Sequence, residues 1–230
     1  MIHVLVDIDE TMLSVGEGIN AKTSSVMFKK VFGVDAHEEM INNVGKTEMG
    51  IILEVLEKVH SPVKEISEEA YRVWAQAMSE QFIDHPVKVL PGIPEFLTTL
   101  SNNPNVKLSL LTGNSPERAE AKLKSGNLDR FFRNPSSGQL TGVFGNMAPK
   151  RDQLFDIIKQ QATSEDKFVI VDDSVIGGEM AQTHNIPIIM VATGRATEEQ
   201  LKPFTSHVFP DFGGYRWQEA VSLVETIANQ

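Results

Sequence analysis

Short apolar runs that end on a polar residue recur along the chain. Ile2–Val6 runs into Asp7, Val106–Leu111 into Thr112, and residues 168–171 into Asp172. Each run has the length and branched side chains of a buried strand. Residues 187–191 and 207–209 are weaker examples. The runs are near-continuous rather than alternating, which points to a parallel sheet covered on both faces. Helical repeats lie between them. Ile93, Phe96, Leu97 and Leu100 share one helix face behind Pro91 and Gly92. Ser115 and Pro116 form a helix-start signature with Gly126 as its stop. Leu154, Ile157 and Ile158 mark another helix, and Trp217, Val221, Val224 and Ala228 a last one. Strands alternating with helices predict an α/β fold, a doubly wound parallel-sheet core of the Rossmann-like kind.

One interval breaks the alternation. About a hundred residues separate the first two strands, whereas a crossover between parallel strands needs only about 10–12. The interval has its own helical stripes: Ile52, Val55, Leu56 and Val59, then Ile66, Ala70, Val73, Trp74 and Met78. Residues 15–88 are therefore expected to form an inserted all-helical domain. Residues 1–14 and 89–230 would form the α/β core.

Composition narrows the functional classes. The 230 residues carry 21 Lys and Arg against 31 Asp and Glu, a formal charge of −10. That balance argues against a nucleic-acid partner, which would need clustered cations. It leaves room for a small phosphorylated ligand held at one basic spot. The absence of cysteine removes disulfides, thiolate zinc sites and a cysteine nucleophile. No apolar run approaches the roughly 20 residues of a membrane span, so a cytoplasmic protein without a membrane partner is expected.

Ligands of open parallel sheets bind beyond the carboxyl ends of the strands. Three of those ends supply Asp7-Ile8-Asp9-Glu10-Thr11, Thr112-Gly113-Asn114-Ser115 and Asp172-Asp173-Ser174, and Lys150-Arg151 opens the helix before the last strand. Carboxylates brought to one cleft repel, by about 4 kcal/mol for two charges roughly 4 Å apart at an effective dielectric of about 20. Either some stay protonated or a cation compensates. An all-oxygen donor set without cysteine or clustered histidine fits Mg²⁺ sharing its shell with a substrate phosphate. Thr112, nearby amides and Lys150 or Arg151 can hold phosphate oxygens. With no Ser/His pair in view, a buried Asp is the natural nucleophile, and a second Asp two residues on is placed for acid/base work.

These motifs, in this order, resemble those of the haloacid dehalogenase-like hydrolase superfamily. Asp7-x-Asp9-x-Thr11 is similar to its first motif, Thr112 to its second, Lys150 or Arg151 to its third, and Asp172-Asp173 to its fourth. The stretch Asp172-Asp173-Ser174-x-x-Gly177-x-x-Met180-Ala181 resembles the branch that contains phosphoglycolate phosphatase and β-phosphoglucomutase. That branch carries a helical cap where this chain has residues 15–88.

The resemblance implies an Mg²⁺-dependent phosphoric monoester hydrolase acting on a small phosphorylated metabolite through an aspartyl-phosphate. Asp7 would be the nucleophile. Asp9 would protonate the leaving oxygen and then activate water. Asp7, Asp9 through its carbonyl, Asp173 and nearby Asp172 would hold the metal. Thr112, Gly113, Asn114 and Lys150 or Arg151 would bind phosphate. In the cap, Lys46 and Thr47 resemble a specificity loop for an anionic, phosphoglycolate-like leaving group. Position 10 is Glu where Gly is common. A phosphomutase of the β-phosphoglucomutase type, and a non-catalytic phosphate-binding or receiver-like module, are the alternative functions.

Overall fold

The computed structural model describes residues 1–16 and 18–228. The chain starts with β1 (Ile2–Val6) and β2 (Leu13–Ser14), then α1 (Ile19–Phe32), α2 (Glu48–Lys58) and α3 (Glu68–Asp84). It continues through β3 (Lys88–Val89), α4 (Ile93–Ser101), β4 (Val106–Leu111), α5 (Pro116–Ser125) and β5 (Gly142–Val143). The remainder is α6 (Arg151–Gln161), β6 (Lys167–Asp172), α7 (Val175–His184), β7 (Ile188–Val191), α8 (Glu198–Leu201), β8 (Val208–Phe209) and α9 (Arg216–Ile227).

Six strands form one sheet in the order β5-β4-β1-β6-β7-β8, and every pairing in it is parallel. β1 lies at the centre. Val6 is level with Leu110 of β4 and Val171 of β6. The register therefore brings the carboxyl ends of the three strands out flush. The chain fills one side of β1 with β4 and β5, then returns to fill the other from β6 outward. The crevice where strand order reverses is the usual ligand site of such sheets.

Strand residues alternate between two apolar layers, as the two-residue period of a strand requires. Val4, Val6, Leu108, Leu110, Val169 and Val171 face the layer that includes α4 and α9. Leu5, Leu111 and Ile170 face the layer under α6 and α7. Core strands with both faces covered explain why their runs read as almost uninterrupted hydrophobics.

The helical insertion has a core of its own. Met27 and Phe28 of α1, Ile52, Val55 and Leu56 of α2, and Trp74 and Met78 of α3 form a cluster without sheet residues. Phe28 meets Trp74 edge-on, with ring centroids 4.8 Å apart at 71°. At the base, β2 and β3 pair antiparallel, Leu13 opposite Val89, so the chain leaves and re-enters the core side by side.

Several elements carry little periodic signal. β2, β3 and β5 have two residues each. α7 contains Gly177 and Gly178 and starts on a local cap, the Ser174 hydroxyl accepting from the Gly177 amide at 3.0 Å. Ile66, counted on a helical stripe, lies just before α3. Among the described residues no helix is long and apolar enough to cross a membrane.

Trp74 is fully buried at the centre of the helical cluster. Trp74→Ala is expected to lower stability by about 3–5 kcal/mol through lost burial and the cavity left behind. Urea unfolding followed by far-UV circular dichroism checks this.

Candidate active site

The site begins where β1 stops. Asp7 continues the strand, its amide donating to the Val171 carbonyl at 3.0 Å. Ile8 is fully buried and anchors the turn. The Met12 amide donates back to the Ile8 carbonyl at 2.9 Å. Inside this turn Glu10 takes a left-handed backbone, φ 53°, a conformation that favours glycine.

Arg151, at the first position of α6, is buried against the strand ends. Its Nη2 lies 2.9 Å from Asp7 Oδ1 and 2.7 Å from Asp172 Oδ2, and it donates to the Leu111 carbonyl at 2.9 Å. Asp172 is held at both oxygens. Its Oδ1 accepts from the Ser174 amide at 2.8 Å and hydroxyl at 2.7 Å. The Arg151 Nε has no partner among the described residues.

Asp7, Asp172 and Asp173 form a buried three-carboxylate cluster, each offering an oxygen within 4.8 Å of the other two. Asp173 accepts from the Thr11 hydroxyl at 3.1 Å. Burial drives the Asp7 carboxyl up to about 7, with Arg151 opposing and Asp172 and Asp9 adding to the rise. Burial, then the Asp172 and Asp7 charges, hold Asp173 well above the ordinary carboxylate range. A group of carboxyls that resists ionising together is one that a divalent cation would relieve. All-oxygen donors suit a hard cation.

Asp9 looks elsewhere. Its carboxylate accepts from Lys122 Nζ at both oxygens, 2.6 and 2.7 Å, and from Asn114 Nδ2 at 2.7 Å. Burial pushes its carboxyl upward, but Lys122, Arg118 and these hydrogen bonds outweigh it and leave the group below its ordinary value. Asn114 also donates to the Thr112 hydroxyl at 2.8 Å. Thr112 is fully buried and thereby orients Asn114.

The helical insertion closes over these ends. The Glu48 amide donates to the Gly113 carbonyl at 2.7 Å, and the Met49 amide to that of Gly145 at 3.1 Å. A Cβ on Gly113 would stand 2.1 Å from the Lys46 carbonyl oxygen, so only glycine permits this approach. Arg118 of α5 lies 3.1 Å from Glu48 and 3.6 Å from Glu38, and all three are buried. Glu48 also accepts from the Tyr71 hydroxyl at 2.7 Å and the Ser115 amide at 3.2 Å. The cleft left between insertion and sheet has a volume of about 950 Å³, and Asp7, Asp9, Asp173, Asn114, Arg118 and Arg151 are among its walls.

Of the residues expected at the site, Asp7, Asp9, Asp173, Gly113, Asn114 and Arg151 line this cleft, as does Lys46. Asp172 and Thr112 stand directly behind, bracing Arg151 and Asn114. Lys150 is exposed and borders a separate crevice with Thr47. Thr47 caps α2, its hydroxyl accepting from the Gly50 amide at 3.1 Å. Lys46 pairs with Glu54.

The sequence reading did not single out Lys122, Arg118, Glu38 or Glu48. The two cations had a signal: they sit beside Ala119 and Leu123 on the buried side of a short helix. A charge on a helix's buried side needs a partner.

With this geometry in place, comparison with known proteins identifies the class. Residues 4–191 match the family model described as haloacid dehalogenase-like hydrolase, and the chain belongs to that family. No curated protein matches the chain. Among solved structures it is similar to a candidate β-phosphoglucomutase from Bacteroides vulgatus, with TM-score 0.62, 18% identity, and 100% of this chain and 91% of that one covered. It is similar to a candidate phosphatase from Clostridium acetobutylicum, with TM-score 0.63, 18% identity, and coverage of 99% and 98%. A variant of CbbY from Rhodobacter sphaeroides in complex with xylulose-(1,5)bisphosphate gives TM-score 0.65, 15% identity, and coverage of 91% and 94%.

The raised Asp7 group sets a pH dependence. Its folded value of about 7 lies above the ordinary 3.8, so the folded state binds more protons than the unfolded chain between those values. Without a divalent cation, this group's contribution to stability therefore falls as pH rises through that window. Cation binding needs the carboxylates ionised and strengthens in the same direction. Added Mg²⁺ is expected to raise the melting temperature more at about pH 8 than at about pH 6. Thermal melts with and without EDTA check this.

Proposed function

We propose that the chain is an Mg²⁺-dependent phosphatase that hydrolyses a small phosphomonoester through an aspartyl-phosphate on Asp7. The observation that carries the reading is the setting of Asp7: on a strand end, 2.9 Å from a buried arginine, with Asp9 two residues on. In the first step an Asp7 oxygen bonds to phosphorus and the ester P–O bond breaks. The leaving oxygen takes a proton from Asp9, which must gain that proton before this step because Lys122 and Arg118 favour its ionised form. In the second, water attacks phosphorus, its proton passes to Asp9, and inorganic phosphate leaves Asp7 as a carboxylate.

Arg151 and the Gly113 amide would hold the phosphate oxygens, while Asn114, whose two amide N–H groups go to Asp9 and Thr112, would orient Asp9. Asp7 and Asp173, with the Asp9 carbonyl, would hold Mg²⁺, which when bound would offset the negative charge of carboxylates and phosphate. Asp172 serves this site by fixing Arg151. The helical insertion acts as a cap that excludes water and gates product release. Lys46 is already neutralised by Glu54, which favours a leaving group that needs no strong anion clamp over a phosphoglycolate-like one.

A phosphomutase is the second reading. It is favoured by a cleft of about 950 Å³, roomy enough for a hexose phosphate.

Asp7→Asn is expected to abolish p-nitrophenyl phosphate hydrolysis, a loss of at least about a thousandfold, and EDTA to do the same to the unaltered protein. Retained turnover in Asp7→Asn would contradict the nucleophile assignment. Incubation with a hexose 1-phosphate separates the two readings: phosphate release supports the phosphatase, and isomerisation without it the mutase.

A further inference from the structure

We infer that Lys122 is a positioning residue that fixes the Asp9 carboxylate for the water-activating half of the reaction, an inference that rests on the phosphatase reading above. Lys122 is 1% exposed. An ammonium has three N–H donors, and Lys122 spends them on three oxygens: Asp9 Oδ1 at 2.6 Å, Asp9 Oδ2 at 2.7 Å and Asn114 Oδ1 at 2.7 Å. No donor is left for a phosphate oxygen. Arg151 is among the walls of the cleft and Lys122 is not, which separates a residue that can touch substrate from one that acts through another.

The acceptor side gives the direction. A carboxylate has about four lone-pair sites, two on each oxygen. Asp9 Oδ2 uses both, one for Lys122 and one for Asn114. Oδ1 uses one, for Lys122. One acceptor site remains, on Oδ1, and the Asp9 side chain is 39% exposed to the cleft. Such a carboxylate is pinned in orientation with one lone pair available to take a proton from water.

The step balances simply. The water oxygen bonds to the phosphorus of the aspartyl-phosphate, the bond from phosphorus to the Asp7 oxygen breaks, and the water proton goes to Asp9 Oδ1. The Phe82 ring of α3 stands 5.4 Å from the Lys122 nitrogen. The insertion thus helps to close off the ammonium and keep it on Asp9.

The test uses p-nitrophenyl phosphate, whose leaving phenolate needs little protonation, in a stopped-flow instrument. kcat/KM reports steps through the first phosphoryl transfer, and kcat here includes the hydrolytic step. Lys122→Met is expected to leave kcat/KM within about threefold and to lower kcat by about a hundredfold, the size of a general-base contribution. A burst approaching one nitrophenolate per protein molecule should appear. Lys122→Arg keeps a cation on Asp9 and should show neither the burst nor the large fall in kcat.

A parallel fall of kcat and kcat/KM would overturn the inference in favour of a phosphate-binding or merely structural lysine, and so would no change in either. Circular dichroism melts establish that each variant folds, and Lys122→Gln replaces the methionine variant if that one does not. An unaltered protein that turns over no phosphoester overturns the phosphatase reading and this inference with it. An active protein whose Lys122→Met variant, or Lys122→Gln in its place, shows no burst overturns the inference alone.

Discussion

Arg151 sits 2.9 Å from one aspartate and 2.7 Å from another where water hardly reaches. The rest of the sheet's carboxyl edge is arranged around that contact. Asp7, Asp172 and Asp173 would otherwise face one another with no cation between them, and removing one partner of a buried ion pair commonly costs about 3–5 kcal/mol. Asp172 holds the guanidinium, Ser174 holds Asp172, and the Leu111 carbonyl takes a further donor. The arginine is thus fixed before any ligand arrives. Burial and the neighbouring aspartates hold Asp7 and Asp173 above the ordinary carboxylate range.

A second cation set lies on α5. Arg118 and Lys122 are one turn apart. The first reaches up to Glu38 and Glu48 of the helical insertion, and the second reaches across to Asp9. One short helix therefore ties the cap to the core and holds the carboxylate proposed for acid/base work. The glycine at 113 makes this compatible with close packing, since its carbonyl accepts from α2 and a side chain there would collide with Lys46.

Much of this was legible in the sequence because the core strands are buried on both faces and end abruptly on polar residues. Ile2–Val6, Val106–Leu111 and β6 all announce themselves in that way, and the in-phase register then brings Asp7, Thr112 and Asp172 together. The inserted helices were legible from the stripes of α2 and of Trp74 and Met78. What was not legible depends on contacts distant in sequence. Two-residue strands leave no period to read. Whether Lys150 or Arg151 faces the cleft turns on a single residue of helix phase, and the structure puts Arg151 inside and Lys150 on the surface. Lys122 pairs with a carboxylate 113 positions away, and only the cation's place on the buried side of α5 hinted at it.

The central claim, that Asp7 carries the phosphoryl group, is tested most directly by trapping the intermediate. The protein would be mixed with radiolabelled p-nitrophenyl phosphate and Mg²⁺, quenched in acid during turnover, and digested for peptide mapping. The account predicts label on the peptide that contains Asp7, released by hydroxylamine as expected of an acyl phosphate and absent in Asp7→Asn. Label on a peptide without Asp7, or no label on any peptide of a Lys122→Met protein that shows the burst, would contradict it.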